Sequence, residues 1–285
     1  MQVLQFNSDK NMALDFIQWF IIGLLLILPI LYELSSTFKY YAKFFFYYAL
    51  CMIMAPFVMV CSLPRPKDVN NYRYVAFCTK QIRKLFGIEI EVRGRENLVS
   101  NQPYILVSNH QSSIDFFGMM EIWPDRCTCL AKKELLYAGT FGIAAWLCDT
   151  IFIDRINHEK AVQTVARTAD IIKKKNQKVY IFPEGTRNHD GSMLPFKKGA
   201  FHLAVTAQVP VVPVVFSSYS DFYSKREKKF ETGKYIITCL PPVPTTGMSS
   251  SDVPEFAERL RKQMLEVYNQ TSLETRQPKL INGVK

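Results

Sequence analysis

The chain has 285 residues, 48% hydrophobic and 21% charged, enough to bury a sizeable core in one large domain or one domain with an appendage. Its formal charge of +10 at pH 7 draws it to anionic partners, among them nucleic acid, anionic lipid headgroups and phosphate-rich small molecules. Nucleic acid is disfavoured, because no zinc-finger spacing or ribonucleoprotein-type aromatic motif occurs and the Lys and Arg residues are scattered rather than gathered in one stripe.

Near the N-terminus two charge-free apolar windows follow each other, "FIQWFIIGLLLILPILY" from Phe16 to Tyr32 and "FFFYYALCMIMAPFVMVCSL" from Phe44 to Leu63. As helices they reach roughly 25 and 30 Å, borderline and sufficient for a hydrocarbon core. A cleaved secretory signal fits poorly, since the first window lacks a basic flank, follows Asp15 directly and is succeeded by a second window. The linker "ELSSTFKYYAK", with its tyrosines and lysines, suits a membrane interface, so residues 1–64 are expected to form a hydrophobic helical hairpin. Either both windows cross the bilayer or the pair inserts into one leaflet; both put the N-terminus and the remaining chain on the same side.

"PRPKDVNNY" from Pro64 marks a boundary, after which residues 65–285 alternate short apolar strands with helical patterns, as in an α/β domain. Seven strands are expected at 88–92, 104–107, 127–131, 150–153, 179–182, 211–216 and 235–240, in one mixed sheet flanked by helices. From Asn157, Ala161, Val165, Ala169 and Ile172 recur at helical spacing, and a basic end complements the helix dipole. The stretch from Asp252 opens with a D-x-x-E capping box and predicts a closing helix. Seven scattered cysteines, without a CxxC pair, read as reduced thiols in a reducing compartment, and four scattered histidines without HExxH offer no metal site.

Chemistry gathers at "VSNHQSSID", where His110 precedes Asp115 by five positions, directly after an apolar strand. On a continuous helix those residues would lie about 140° apart and could not meet. If Ser112 caps the following helix, Asp115 is its third residue, and the carboxylate points back towards His110. A carboxylate on one imidazole nitrogen leaves the other as a proton acceptor, which describes a general base for an alcohol. Alternatively, Asp115 merely caps the helix and His110 fills the turn.

"IFPEGTRN" (181–188) sets Gly185, Thr186 and Arg187 after another strand, and "TIFIDR" sets Arg155 after a third. Ligands bind at such strand ends, glycine lets backbone approach an anion, and arginine grips phosphate with two parallel bonds. Lys197 and Lys198 extend the basic surface, or are simply solvated. A Ser-His-Asp hydrolase using Ser108, Ser112 or Ser113 lacks the G-x-S-x-G elbow, and neither a P-loop nor a G-x-G-x-x-G is present.

Four blocks, "NHQSSID", "IFIDR", "FPEGTR" and "VPVVPVVF", together spanning 109–216, resemble in order and spacing the motifs of the glycerolipid acyltransferases. The "FPEGTR" and "FIDR" forms are most similar to those of the lysophosphatidic acid acyltransferases. That resemblance implies transfer of a fatty acyl group from acyl-CoA to the sn-2 hydroxyl of lysophosphatidic acid, at a lipid bilayer, with no metal or bound cofactor. It implies His110 as base, Asp115 as its orienter, and Arg187, with Gly185, Thr186 and Arg155, as the phosphate site. Glu184 is assigned to orienting Arg187 or a substrate hydroxyl, and Lys132, at the end of the third strand, to the developing oxyanion. Other headgroups, and a catalytically silent lipid-binding protein, are the competing readings. The expected location is the endoplasmic reticulum membrane with the catalytic domain facing the cytosol, so the "NQT" sequon at Asn269 should carry no glycan.

Overall fold

The structure is a computed structural model describing residues 2–154 and 158–276. Two long helices lead, α1 (Gln2–Leu34) and α2 (Ser36–Ser62), followed by α3 (Tyr72–Leu85), β1 (Ile88–Arg93), β2 (Ile105–Ser108), α4 (Asp115–Glu121), β3 (Cys127–Lys132) and α5 (Gly139–Leu147). Then come β4 (Ile151–Ile153), α6 (His158–Lys175), β5 (Lys178–Ile181), α7 (Gly199–Ala207), β6 (Val211–Phe216), the short hairpin β7 (Tyr223–Ser224) and β8 (Lys229–Phe230), β9 (Gly233–Cys239) and α8 (Val253–Thr275).

All seven expected strands form one sheet, in the order β1-β9-β6-β2-β5-β3-β4. It is mixed, because β9 runs antiparallel to β6 while every other pair is parallel. Pro213, which has no N–H, falls just beyond the three-residue β6–β9 ladder of Val214–Phe216. Side chains alternate between two cores as strand geometry requires. Leu106, Val212, Val214 and Phe216 join one core, while Ile105, Val107, Val211 and Val215 join the other with Ala169 and Ile172 of α6, Phe201 of α7 and Phe256 of α8. The result is a three-layer α/β/α domain.

Two local expectations are corrected at helix starts. Ser35 alone breaks α1 from α2, its Oγ accepting from Phe38 N at 3.2 Å, so the expected linker is absorbed into the helices. At α8, Asp252 makes no capping bond into the helix; its carboxylate turns back to Ser249 N and Oγ at 2.7 and 2.8 Å, because the preceding serine turn offers nearer donors.

Both leading helices are long and apolar enough to cross a membrane, yet their surroundings differ. Apolar side chains of α1 from Phe16 to Leu34 are exposed along its length. In contrast, α2 buries one face, placing Tyr40, Tyr47 and Val58 in the same core as Phe86, Phe117 and Phe230. Its other face leaves Phe45, Ile53 and Val60 exposed. Removing residues 1–34 should therefore preserve the thermal transition of the detergent-purified protein, whereas removing residues 1–62 should lower its Tm by roughly 10 °C or more, because large core side chains leave with α2.

Candidate active site

Strands β2, β3, β4, β5 and β6 run in the same direction, so the segments that follow them gather at one edge of the sheet. That edge holds His110, Lys132, Asp154 and the 182–188 loop. The His110 loop is fixed by its neighbours in sequence. Asn109 clasps the end of β6, with Nδ2 donating to Phe216 O at 2.9 Å and Oδ1 accepting from Phe216 N at 2.8 Å. Gln111 Nε2 donates to Phe216 O and Ser217 O at 3.2 and 3.0 Å.

Held in this way, His110 meets Asp115, with Nδ1 2.6 Å from Oδ2. The same oxygen accepts Gln111 N at 2.7 Å and Ser112 N at 3.0 Å. Ser112 does not cap α4 as expected: Ser112–Ile114 form a turn and the helix begins at Asp115 itself, so the carboxylate reaches back from the first helical residue. Asp115 is 1% exposed and the His110 side chain 19%, which leaves the imidazole open to a substrate while its partner is sealed. Phe182 stacks on the ring at 4.0 Å and limits its tilt. Since the carboxylate takes Nδ1–H, Nε2 is left as the acceptor.

Glu184 ties two loops together: its Oε1 accepts His110 N at 2.7 Å and its Oε2 accepts Leu194 N at 2.9 Å. Burial pushes its carboxyl above the usual glutamate range, against the pull of those two N–H groups. Asn188 N completes the tie by donating to His110 O at 2.8 Å.

Gly185 has φ +68°, a backbone conformation that favours glycine, and the end of the Lys197 side chain lies 2.9–3.0 Å from where a Cβ would stand. Thr186 and Arg187 follow, both exposed, and among the described residues Arg187 makes no ion pair. His189 is held below the usual histidine range by desolvation first, then by the positive charges of Lys225 and Arg187. Cations near this loop include Arg187, Lys197 and Lys225, the last contributed by the β7–β8 hairpin. Lys132 ends β3 at the same edge, exposed and outside the hydrogen-bond network of His110. Arg155 lies outside the described residues. Elsewhere, a hollow of about 500 Å³ lined by Arg65, Arg73, Lys80, Arg95 and Glu121 opens at the opposite edge of the sheet, away from His110.

The site thus sets a buried carboxylate on an accessible imidazole beside a loop that carries Gly185, Thr186 and Arg187. The Acyltransferase family profile matches residues 89–217. The chain is 46% identical over 250 residues to human 1-acyl-sn-glycerol-3-phosphate acyltransferase alpha, covering 88% of each. It is 40% identical to the human beta form, covering 84% of this chain and 87% of that one, and 39% identical to the Saccharomyces cerevisiae enzyme of the same name, covering 73% and 69%. The crystal structure of the 1-acyl-sn-glycerophosphate (LPA) acyltransferase PlsC from Thermotoga maritima shares the fold, with TM-score 0.65 at 22% identity over 86% of this chain and all of that one. The chain belongs to the 1-acyl-sn-glycerol-3-phosphate acyltransferase family and is an acyltransferase of lipid biosynthesis.

Glu184→Ala would leave two inward-facing N–H groups unpaired, a cost of about 1–3 kcal/mol each. We expect a Tm several degrees lower and kcat down roughly tenfold or more as His110 loses its backbone anchor, read by thermal unfolding and steady-state assay of one preparation.

Proposed function

We propose that this enzyme transfers a fatty acyl group from acyl-CoA to the sn-2 hydroxyl of lysophosphatidic acid, giving phosphatidic acid and CoA. The carrying observation is the 2.6 Å contact between His110 Nδ1 and Asp115 Oδ2, which presents Nε2 to the acceptor alcohol. As the hydroxyl oxygen attacks the thioester carbon, its proton passes to Nε2, and Asp115 stabilises the imidazolium that forms. The tetrahedral intermediate then collapses, the C–S bond breaks, and the departing CoA thiolate takes the proton back. A thioester is reactive enough that neither a covalent acyl-enzyme nor a bound cofactor is required.

In this reading Arg187 holds the glycerol phosphate by a bidentate contact, aided by Thr186, the Gly185 backbone and Lys197, with Arg155 contributing from the end of β4. Lys132, at the same edge, stabilises the oxyanion. Docking of α2 against the domain, with α1 exposed, supports a hairpin inserted in one leaflet with the domain at its surface. The lysolipid then enters sideways from the leaflet and acyl-CoA arrives from water. The seven free cysteines support a cytosolic face on the endoplasmic reticulum.

With radiolabelled oleoyl-CoA and membranes carrying the full chain, His110→Ala should lower kcat about 10²–10⁴-fold. Arg187→Ala should raise KM for lysophosphatidic acid roughly tenfold or more while leaving KM for acyl-CoA unchanged, the signature of a lost charge-assisted phosphate contact. An unchanged KM for lysophosphatidic acid in Arg187→Ala would count against the phosphate role. Asn269 should carry no glycan in endogenous protein; finding one would contradict the cytosolic assignment.

A further inference from the structure

Asp115 has two carboxylate oxygens, and the contacts described so far occupy only one. Oδ2 receives three donors, whereas Oδ1 is buried and lacks a hydrogen-bond partner. Two tyrosine hydroxyls share that condition, since Tyr219 Oη and Tyr235 Oη are also buried without partners. Three orphaned polar atoms in one apolar interior are unusual, because such groups are ordinarily satisfied.

They lie together. The Tyr219 and Tyr235 rings stand edge to face with centroids 4.8 Å apart. A Cβ on Gly118, one turn beyond Asp115 along α4, would come within 2.7 Å of Tyr235 Oη, so glycine clears the space that this hydroxyl fills beside Asp115. Tyr219 itself lies in the segment after β6, whose Ser217 carbonyl is gripped by Gln111 of the His110 loop. Its hydroxyl sits against Asp115, feels that carboxylate both as a charge and as an acceptor, and with desolvation leading is held as a neutral O–H, although the contact stops short of a formed bond at rest. Tyr180 Oη shares a 2.7 Å hydrogen bond with Ser108 Oγ and makes none to Asp115 Oδ1.

We propose that Tyr219 is a positioning residue for acyl transfer: its O–H donates to Asp115 Oδ1 as the dyad engages substrate, with Tyr235 bracing it from behind. This rests on His110 and Asp115 acting as the base pair. The other titratable groups facing the dyad are Tyr180 from β5, Tyr235 from β9, and Glu184 and His189 from the loop after β5. None of the four donates to Oδ1 at rest. Donation to Oδ1 tempers the carboxylate, so its loss leaves Asp115 more basic and the imidazolium proton more tightly held. Neutral His110 is the active form, so the acid limb of the rate profile must move to higher pH.

The test is kcat and kcat/KM against pH for the full-length enzyme and Tyr219→Phe, each also in an Asp115→Asn background. We expect kcat to fall roughly tenfold, the size of one lost hydrogen bond to a charged group, with both KM values kept and the acid limb moved upward. In the Asp115→Asn background the further loss should be under about twofold, because residues acting as a unit are not additive. Wild-type behaviour of Tyr219→Phe, or the same loss in both backgrounds with an unmoved limb, would overturn the proposal. If Tyr219→Phe does not fold, Tyr235→Phe must show a smaller shift of the same sign, and an unmoved limb there would overturn it equally. A wild-type profile lacking any acid limb would instead overturn the base assignment beneath it.

Discussion

One carboxylate oxygen organises the reactive edge of this protein. Asp115 Oδ2 gathers the His110 ring and the backbone N–H groups of Gln111 and Ser112 within 2.6–3.0 Å, in an interior where an unpaired charge would be severely penalised. Those donors both stabilise the carboxylate and fix the turn that precedes α4, so one set of bonds builds the loop and aims the imidazole. The remaining constraints act on the same loop from outside. Asn109 and Gln111 fasten it to β6, and Glu184 fastens it to the loop after β5. The imidazole is therefore held by three parallel strands, and only its outer nitrogen is free to react.

The apolar helix α2 meets this loop directly. Tyr47 Oη donates to Ser113 O at 3.2 Å, and Tyr48 Oη shares a 2.6 Å hydrogen bond with Ser113 Oγ, so α2 touches the segment joining His110 to Asp115. A helix whose outer face is apolar and whose inner face is part of the core cannot leave the domain without opening the site. In the proposed reaction this couples the depth of the reactive imidazole to the depth of α2. The acceptor hydroxyl, which lies just below the lysolipid headgroup, is met at a fixed height.

Much of this was legible in the sequence, for reasons that differ by element. The seven strands stood out because short β-branched runs between turn residues have few other outcomes, and their parallel order brought the motif loops to one edge. The His110–Asp115 contact followed from the spacing once a strand preceded it, although the turn at Ser112–Ile114 displaced the expected cap. Roles set by distant partners were hidden. Glu184 reads as an acid in an anion site until His110 N and Leu194 N are seen on its oxygens, and Asn109 reads as loop until Phe216 is found 107 residues away. The β7–β8 hairpin, with strands of two residues, gives no periodic signal, so the charge of Lys225 beside the site could not be anticipated. The interhelical linker failed for another reason: a single serine with a competent side chain is enough to end one helix and cap the next.

In the proposed reaction His110 activates the acceptor alcohol for direct attack on the thioester. Intact-mass measurement of the full-length enzyme, quenched after mixing with acyl-CoA first without and then with lysophosphatidic acid, tests this directly. An unmodified enzyme mass is expected in both samples, with CoA released only when the lysolipid is present. A stoichiometric acyl adduct on the protein, formed with a burst of CoA in the absence of acceptor, would contradict it.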